Sequence, residues 1–128
     1  MVVNRQQAAN LHVQVDCAPM AAHLVVTAMG SWTEDTFRHI VDLARMSATE
    51  HGLTRILLDM RAVSRPDTEY IRYIGGLYIA TTIARRFRIA AVGESGNVTH
   101  YGETVARNRG SDFMAFSDEE RATQWLLR

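Results

Sequence analysis

Arg55–Phe87 reads RILLDMRAVSRPDTEYIRYIGGLYIATTIARRF. Ile56, Leu57 and Leu58 form a short apolar run that ends in Asp59. A continuous apolar run of this length bounded by polar residues is the pattern of a strand buried on both faces. Ser64, Arg65 and Pro66 continue neither a strand nor a helix, so they are read as a loop. Asp67 is placed to cap the helix that follows, because its carboxylate can accept free backbone N–H groups. That helix is predicted from about Thr68 to Arg86. Ile71, Ile74, Leu77, Tyr78 and Ile83 are apolar, but so are Tyr70, Tyr73 and Ile79, and this sector is wider than one sheet face needs. Gly75–Gly76 in mid-helix costs about 1 kcal/mol per glycine relative to alanine, a cost that a close backbone approach would offset. A buried strand, a crossover and a long apolar helix make half of a parallel βαβ unit.

Working outward, Leu11, Val13 and Val15 alternate with His12, Gln14 and Asp16, the period of a half-buried strand. His23–Met29 is a second strand, and the short connection through Pro19 favours an antiparallel hairpin. Ser31 and Glu34 fit a capping box, with Thr33 as a rival cap. Phe37, Ile40, Val41, Ala44 and Ala48 then follow at helical spacing, closed by Gly52. Phe87–Val92 is the fourth strand. Gly93–Asn97 (GESGN) leads into a short helix with Val98, Tyr101 and Val105 on its apolar stripe and Gly110 at its end. Phe113–Phe116 is the fifth strand. Ser117 and Glu120 form a second capping box before a helix that buries Ala122, Trp125 and Leu126. The expected order is β-β-α-β-α-β-α-β-α. It makes one α/β domain over residues 1–128, with a five-stranded, mostly parallel sheet, an antiparallel amino-terminal hairpin and four helices. Residues 1–9 are expected to fray.

Composition limits the functions open to such a chain. At 128 residues, with 47 % hydrophobic residues, it is long enough to bury its own core. Fourteen acidic and 14 basic residues give zero net charge, which supplies no electrostatic case for nucleic acid or an anionic membrane. All the bases are arginine, suited to bidentate contacts with carboxylate or phosphate, although codon usage is the better account of it. Cys17 is the single cysteine, so no internal disulfide exists and a cytoplasmic protein with an inert thiol is expected. No apolar run reaches the ~20 residues needed to span a bilayer.

Signals for chemistry are sparse. The five histidines (His12, His23, His39, His51, His100) lack metal-ligand spacing, and no cofactor or metal is expected. The GESGN loop before a helix start is a possible anion site but matches no phosphate-binding fingerprint. Asp59, Asp67 and Glu69 lie where open α/β sheets place their ligands. Asp59 and Glu69 would be the pair for a hydrolase or isomerase. The ordinary structural roles are a loop bond for Asp59, a cap for Asp67 and dipole compensation for Glu69.

Several pieces carry a family resemblance when taken in order. They are ILLDMR (56–61), an acidic residue eight positions after the strand aspartate, RIAAVG (88–93), VARNRG (105–110) and FSDEERATQWL (116–126). Over roughly His23–Leu127 the chain resembles the STAS domain family, the fold of bacterial anti-sigma-factor antagonists, and within it the SpoIIAA-like branch of small stand-alone proteins. Antagonists of that family carry Asp-Ser-Ser-Gly where this chain has Asp67, Thr68, Glu69 and Tyr70. In the family a partner kinase phosphorylates the second serine and thereby switches binding off; here that position is Glu69.

The resemblance implies a non-enzymatic regulatory or protein-interaction module lacking the phosphoacceptor serine. Its partner- or ligand-binding surface would comprise Asp59, Arg61, Arg65, Asp67, Thr68, Glu69, Tyr70 and Arg72. The wide apolar sector of the long helix supports two further expectations. One is a homodimer through Tyr70, Ile71, Tyr73, Ile74, Leu77 and Ile79. The other is a carrier of a small apolar or lipid-like ligand in a pocket lined by Ile71, Ile74, Leu77 and Tyr78.

Overall fold

The computed structural model describes residues 4–8, 12–66, 68–82, 86–94, 103, 104 and 107–128. Six strands and three helices are assigned among them. They are β1 (Asn4–Ala8), β2 (Val13–Pro19), β3 (Leu24–Gly30), α1 (Glu34–Glu50), β4 (Arg55–Val63), α2 (Glu69–Thr82), β5 (Arg88–Val92), β6 (Asp112–Phe116) and α3 (Glu119–Leu127). The strands form one six-stranded sheet in sequential order. β1–β2 and β2–β3 are antiparallel, whereas β3–β4, β4–β5 and β5–β6 are parallel. The sheet therefore has one strand more than expected. Asn4–Ala8, in the segment expected to fray, pairs with Val13–Cys17. NRQQA lacks the apolar alternation that marks a half-buried strand, so pattern alone leaves it invisible.

β4 is the central parallel strand, and both its faces are covered. Ile56, Leu58 and Met60 face a core built with β2, β3, α1 and Ile79 of α2. Leu57 faces the other way, into a smaller core with Ala90, Val92 and the α3 residues Ala122 and Leu126. Side-chain alternation thus splits one strand between two layers. Truncating Leu58 to alanine would cost roughly 2–5 kcal/mol at such a site. β4 also runs three residues past the expected end at Met60. Ala62 and Val63 pair with Met29 and Gly30 across a register shift, and this irregularity keeps Val63 buried.

Helix starts differ from the expected caps. Thr33, the rival, is the N-cap of α1: its side chain accepts from the Thr36 N–H at 3.1 Å, and the Thr36 hydroxyl accepts from the Thr33 N–H at 2.7 Å. Ser31 instead donates its N–H to the His12 carbonyl. α3 is capped by Asp118, whose side chain accepts from the Glu120 N–H at 2.9 Å, and Ser117 is not the cap. α2 is described as far as Thr82, and Arg86 is not helical. The expected cap Asp67, the end of the long helix at residues 83–85 and the loop tip beyond Glu94 lie outside the described residues. So does most of the fourth expected helix, although Glu103, Thr104 and Arg107 are helical.

Two helices cover one face of the sheet, and their contact uses one of the mid-helix glycines. Gly75 is buried, and a Cβ there would stand 3.0 Å from the Phe37 ring of α1. The close approach that the glycine pair suggested is therefore present. The Tyr78 hydroxyl donates to Asp42 Oδ1 at 2.5 Å, tying α2 to α1.

Gly30 closes β3 at φ +132°, where an added Cβ would collide with the His12 carbonyl oxygen. Gly52 sits past α1 at φ +66° with open space around its Cα. Gly30→Ala is expected to cost about 3 kcal/mol or more, combining strain with a backbone clash. Gly52→Ala, with left-handed strain alone, should cost about 1–2 kcal/mol. Urea denaturation of the two variants checks this ordering; equal losses would contradict it.

Candidate functional site

Two clusters lie near the carboxyl ends of the parallel strands, one on each face of the sheet. The first is polar. Asp59 shares its strand face with Leu57, which packs toward α3. Its carboxylate accepts from two of the three guanidinium nitrogens of Arg61, Nε at 2.9 Å and Nη2 at 2.7 Å, and also from the Arg61 backbone N–H at 3.1 Å. Arg61 Nη2 continues to Glu119 Oε1 at 2.6 Å, at the start of α3. Burial alone would push the Asp59 carboxyl up, but the hydrogen bonds and charge of Arg61 outweigh it and hold the group below the usual carboxylate range. The Arg61 guanidinium is correspondingly shifted up, first by the bond to Asp59. This is the geometry of a lock between β4 and α3, with the carboxylate held as an anion and both its oxygens occupied.

The second cluster begins with α2. Glu69, in its first turn, pairs with Arg72 at 2.5 Å. The Arg72 side chain is only 6 % exposed, and its guanidinium lies 5.5 Å from the centre of the Trp32 ring. Trp32 in turn stacks on Phe37 with centroids 5.6 Å apart and an interplanar angle of 14°. Glu69 therefore belongs to the α1–α2 layer and Asp59 to the α3 layer. The two carboxylates expected to serve a hydrolase or isomerase occupy opposite faces and share no cleft. Among the described residues, no three histidine, cysteine, aspartate or glutamate side chains come together as a metal site. Cys17 is buried, and that burial pushes its thiol up.

Before and at the start of α2, Arg65, Thr68 and Tyr70 are exposed. Tyr70 is 64 % exposed and lies 6.4 Å from the Tyr73 ring. The broad apolar stripe expected as a dimer surface shrinks on inspection. Ile79 is in the core, and Ile71, Tyr73, Ile74 and Leu77 are half-buried. Tyr70 is the one large exposed hydrophobic residue among the described part of α2.

Between α2, Phe37 of α1 and the sheet lies a cavity of about 90 Å³. Its described walls include Trp32, Phe37, Leu58, Ile79 and Phe113, with Arg72, Gly75 and Gly76 along α2. None of Ile71, Ile74, Leu77 and Tyr78, the expected pocket residues, is part of this lining. They lie on another side of the same helix, with Tyr78 engaged at the α1–α2 seam. The bond to Asp42 and, next, burial push the Tyr78 hydroxyl pKa up. Sequence reasoning missed Trp32 and Phe37 as walls because they come from a distant part of the chain. The glycine pair was the one local signal.

The sequence matches no protein-family model and no curated protein. The fold does match solved structures. One is an anti-sigma factor antagonist from Mycobacterium paratuberculosis, at 11 % identity and TM-score 0.64, covering 95 % of this chain and all of that one. Another is an uncharacterised protein of the DUF3478 family with a SpoIIAA-like fold from Shewanella loihica, at 20 % identity and TM-score 0.56, covering 94 % of this chain and 99 % of that one. The chain has the STAS-type, SpoIIAA-like fold expected from its sequence.

The Asp59–Arg61 contact sets a pH dependence. A carboxyl whose folded pKa is depressed stabilises the fold above its unfolded value of about 3.9, and that contribution disappears as pH falls through the folded value. Asp59→Asn should cost about 1 kcal/mol at pH 7, discounted for the exposure of Arg61, and the difference from wild type should shrink as pH falls below the ordinary carboxylate range and through the lowered folded value. Urea midpoints at several pH values test this; a constant difference across the range would contradict it.

Proposed function

We propose that this protein is a non-enzymatic interaction module that docks a partner on the loop after β4 and the amino-terminal turns of α2. The observation that carries the reading is Tyr70. It is a large aromatic residue 64 % exposed at the start of a helix, next in the chain to exposed Thr68 and Glu69, with Arg65 exposed in the preceding loop. Tyrosine and arginine are the side chains that most often dominate binding energy at protein interfaces. Likeness to a fold used by an anti-sigma factor antagonist supports the reading. So does the position of the segment, which the sequence resemblance aligns with the antagonists' switch.

The same segment gives the module its regulatory character. Where the antagonists carry a phosphorylatable serine, Glu69 bears a charge that no kinase can add or remove. A carboxylate carries about one negative charge, against −1.5 to −2 for phosphate, and here Arg72 partly neutralises it. A carboxylate in the first turn is also favoured by the helix dipole by about 0.3–1 kcal/mol. Glu69 is thus a stable structural residue that imitates phosphate poorly, and binding is constitutive. No helix among the described residues is long and apolar enough to cross a membrane, which is compatible with the cytoplasmic setting we propose.

The test uses a partner recovered by affinity purification from the host. Tyr70→Ala should weaken its binding by roughly tenfold or more, while leaving stability within about 0.5 kcal/mol, as for exposed sites generally. Incubating wild type with ATP and the host's anti-sigma kinases should leave affinity unchanged. The E69S/Y70G double variant, which rebuilds the family's Ser-Gly, serves as the substrate control. Unaltered affinity in Tyr70→Ala would place the interface elsewhere. Phosphate on wild-type Thr68 with loss of binding would show that the switch had moved by one residue.

A further inference from the structure

We propose that the Glu103 carboxylate is an autoinhibitory contact: it occupies the outer edge of β6 and keeps that strand from pairing with β6 of a second copy. The surface around Tyr70 plays no part in it. The two edges of the sheet differ in kind. β1 closes one side and reads NRQQA, polar except for its last residue. β6 closes the other and reads DFMAF, with Asp112 its only charge and no proline. An apolar, aromatic strand with one side unpaired is a template for adding a further strand. Polar composition blunts β1, whereas β6 has no such protection in its own sequence.

The ladder identifies the main-chain groups at issue. The Gly93 N–H donates to the Phe116 carbonyl at 2.9 Å, so Phe116 turns its main chain toward β5. Successive residues of a strand direct these groups to alternate sides. Asp112 and Met114 therefore also address β5, and Phe113 and Ala115 address the outside. There the Ala115 N–H donates to Glu103 Oε2 at 2.8 Å. A carboxylate thus stands where the carbonyl of a further strand would be. A bond to an ionised acceptor is roughly twice as strong as a neutral one, and a carboxylate offers no donor to continue a ladder. The Glu103 side chain is 15 % exposed, and its Oε1 lies 3.9 Å from Arg107 Nη1. Glu103, Thr104 and Arg107 are helical, so the bond to Ala115 also pins this helical segment to the edge.

The occupant that Glu103 holds off is argued from register and charge. Two copies related by a two-fold axis bring their β6 strands together antiparallel. Placing Phe113 of one copy opposite Ala115 of the other sets outward-facing residues against each other, the arrangement of a hydrogen-bonded pair. The Ala115 N–H would then donate to the Phe113 carbonyl of the other copy, in direct competition with Glu103. In that register Met114 meets Met114 across the axis, and Asp112 stands opposite Phe116. No like charges oppose one another, which would be destabilising. Asp112 is already paired with Arg88 at 3.2 Å, so the end of the strand brings little uncompensated charge to the contact.

The test compares Glu103→Ala, which removes the acceptor, with Glu103→Gln, which keeps an acceptor oxygen. In sedimentation over a range of micromolar concentrations, Glu103→Ala should approach twice the wild-type mass. Its association constant should exceed that of wild type by about tenfold or more. Glu103→Gln should sediment as wild type. Adding Ala115→Pro to Glu103→Ala removes the competing N–H from an edge position that tolerates proline, and the mass should return to that of wild type. Residue-resolved amide exchange gives a measure that starts from the wild-type protein. There the Ala115 amide, although it faces outward, should exchange slowly at every protein concentration. In Glu103→Ala it should exchange fast when dilute and slowly when concentrated. Three results would each overturn the proposal: wild-type mass for Glu103→Ala across the range, association that survives Ala115→Pro, or a wild-type Ala115 amide that exchanges like a free one.

Discussion

Burial of β4 on both faces is the constraint on which the rest of the molecule depends. A parallel strand cannot be joined to its neighbours by a tight turn, so each parallel neighbour requires a crossover. The crossover helices α1 and α2 lie against the face that carries Ile56, Leu58 and Met60. Leu57, pointing the other way, would be left in water without α3, and Ala122 and Leu126 cover it. The Asp59–Arg61–Glu119 chain then ties the carboxyl end of β4 to the start of that last helix. Exposed ion pairs contribute little individually, so this lock orients α3 more than it holds the fold together. Burial of apolar surface in the two cores stabilises the fold far more.

The same constraint positions both sides of α2. β4 delivers the chain to the edge of the sheet, and α2 returns across the face shared with α1. Gly75 allows α2 to settle against Phe37, which fixes how the helix is turned about its axis. That rotation sends Arg72, Gly75, Gly76 and Ile79 inward to the cavity and leaves Tyr70 in solvent. Arg72 joins the two sides. Its side chain is buried beside Trp32, while its partner Glu69 is more than half exposed at 57 %. An exposed aromatic side and a cavity-facing side therefore share one helix, with Arg72 between them.

Much of this was legible in the sequence. The order of the core elements follows from period-two and helical spacing, and the crossover pattern follows from the order. The misreadings have particular causes. α2 is apolar nearly all round, so periodicity could not say which side faces inward, and Ile71, Ile74, Leu77 and Tyr78 were assigned a pocket that belongs to another side. The separation of Asp59 from Glu69 was readable in principle, because alternation puts Asp59 on the Leu57 side of β4. Reading the carboxylates by their nearness in sequence hid it. β1 escaped because its partner strand, rather than its own polar sequence, makes it a strand.

Hydrogen–deuterium exchange of the free protein, resolved by residue, tests the central role of β4 most directly. Amides of a strand paired on both sides and buried on both faces should open only with global unfolding. Leu57, Leu58 and Asp59 should therefore be among the slowest to exchange, with a free energy equal to that from denaturant unfolding, while the edge strand β1 exchanges far faster. Exchange in β4 as rapid as in β1, or opening of β4 well below the global unfolding free energy, would contradict the account.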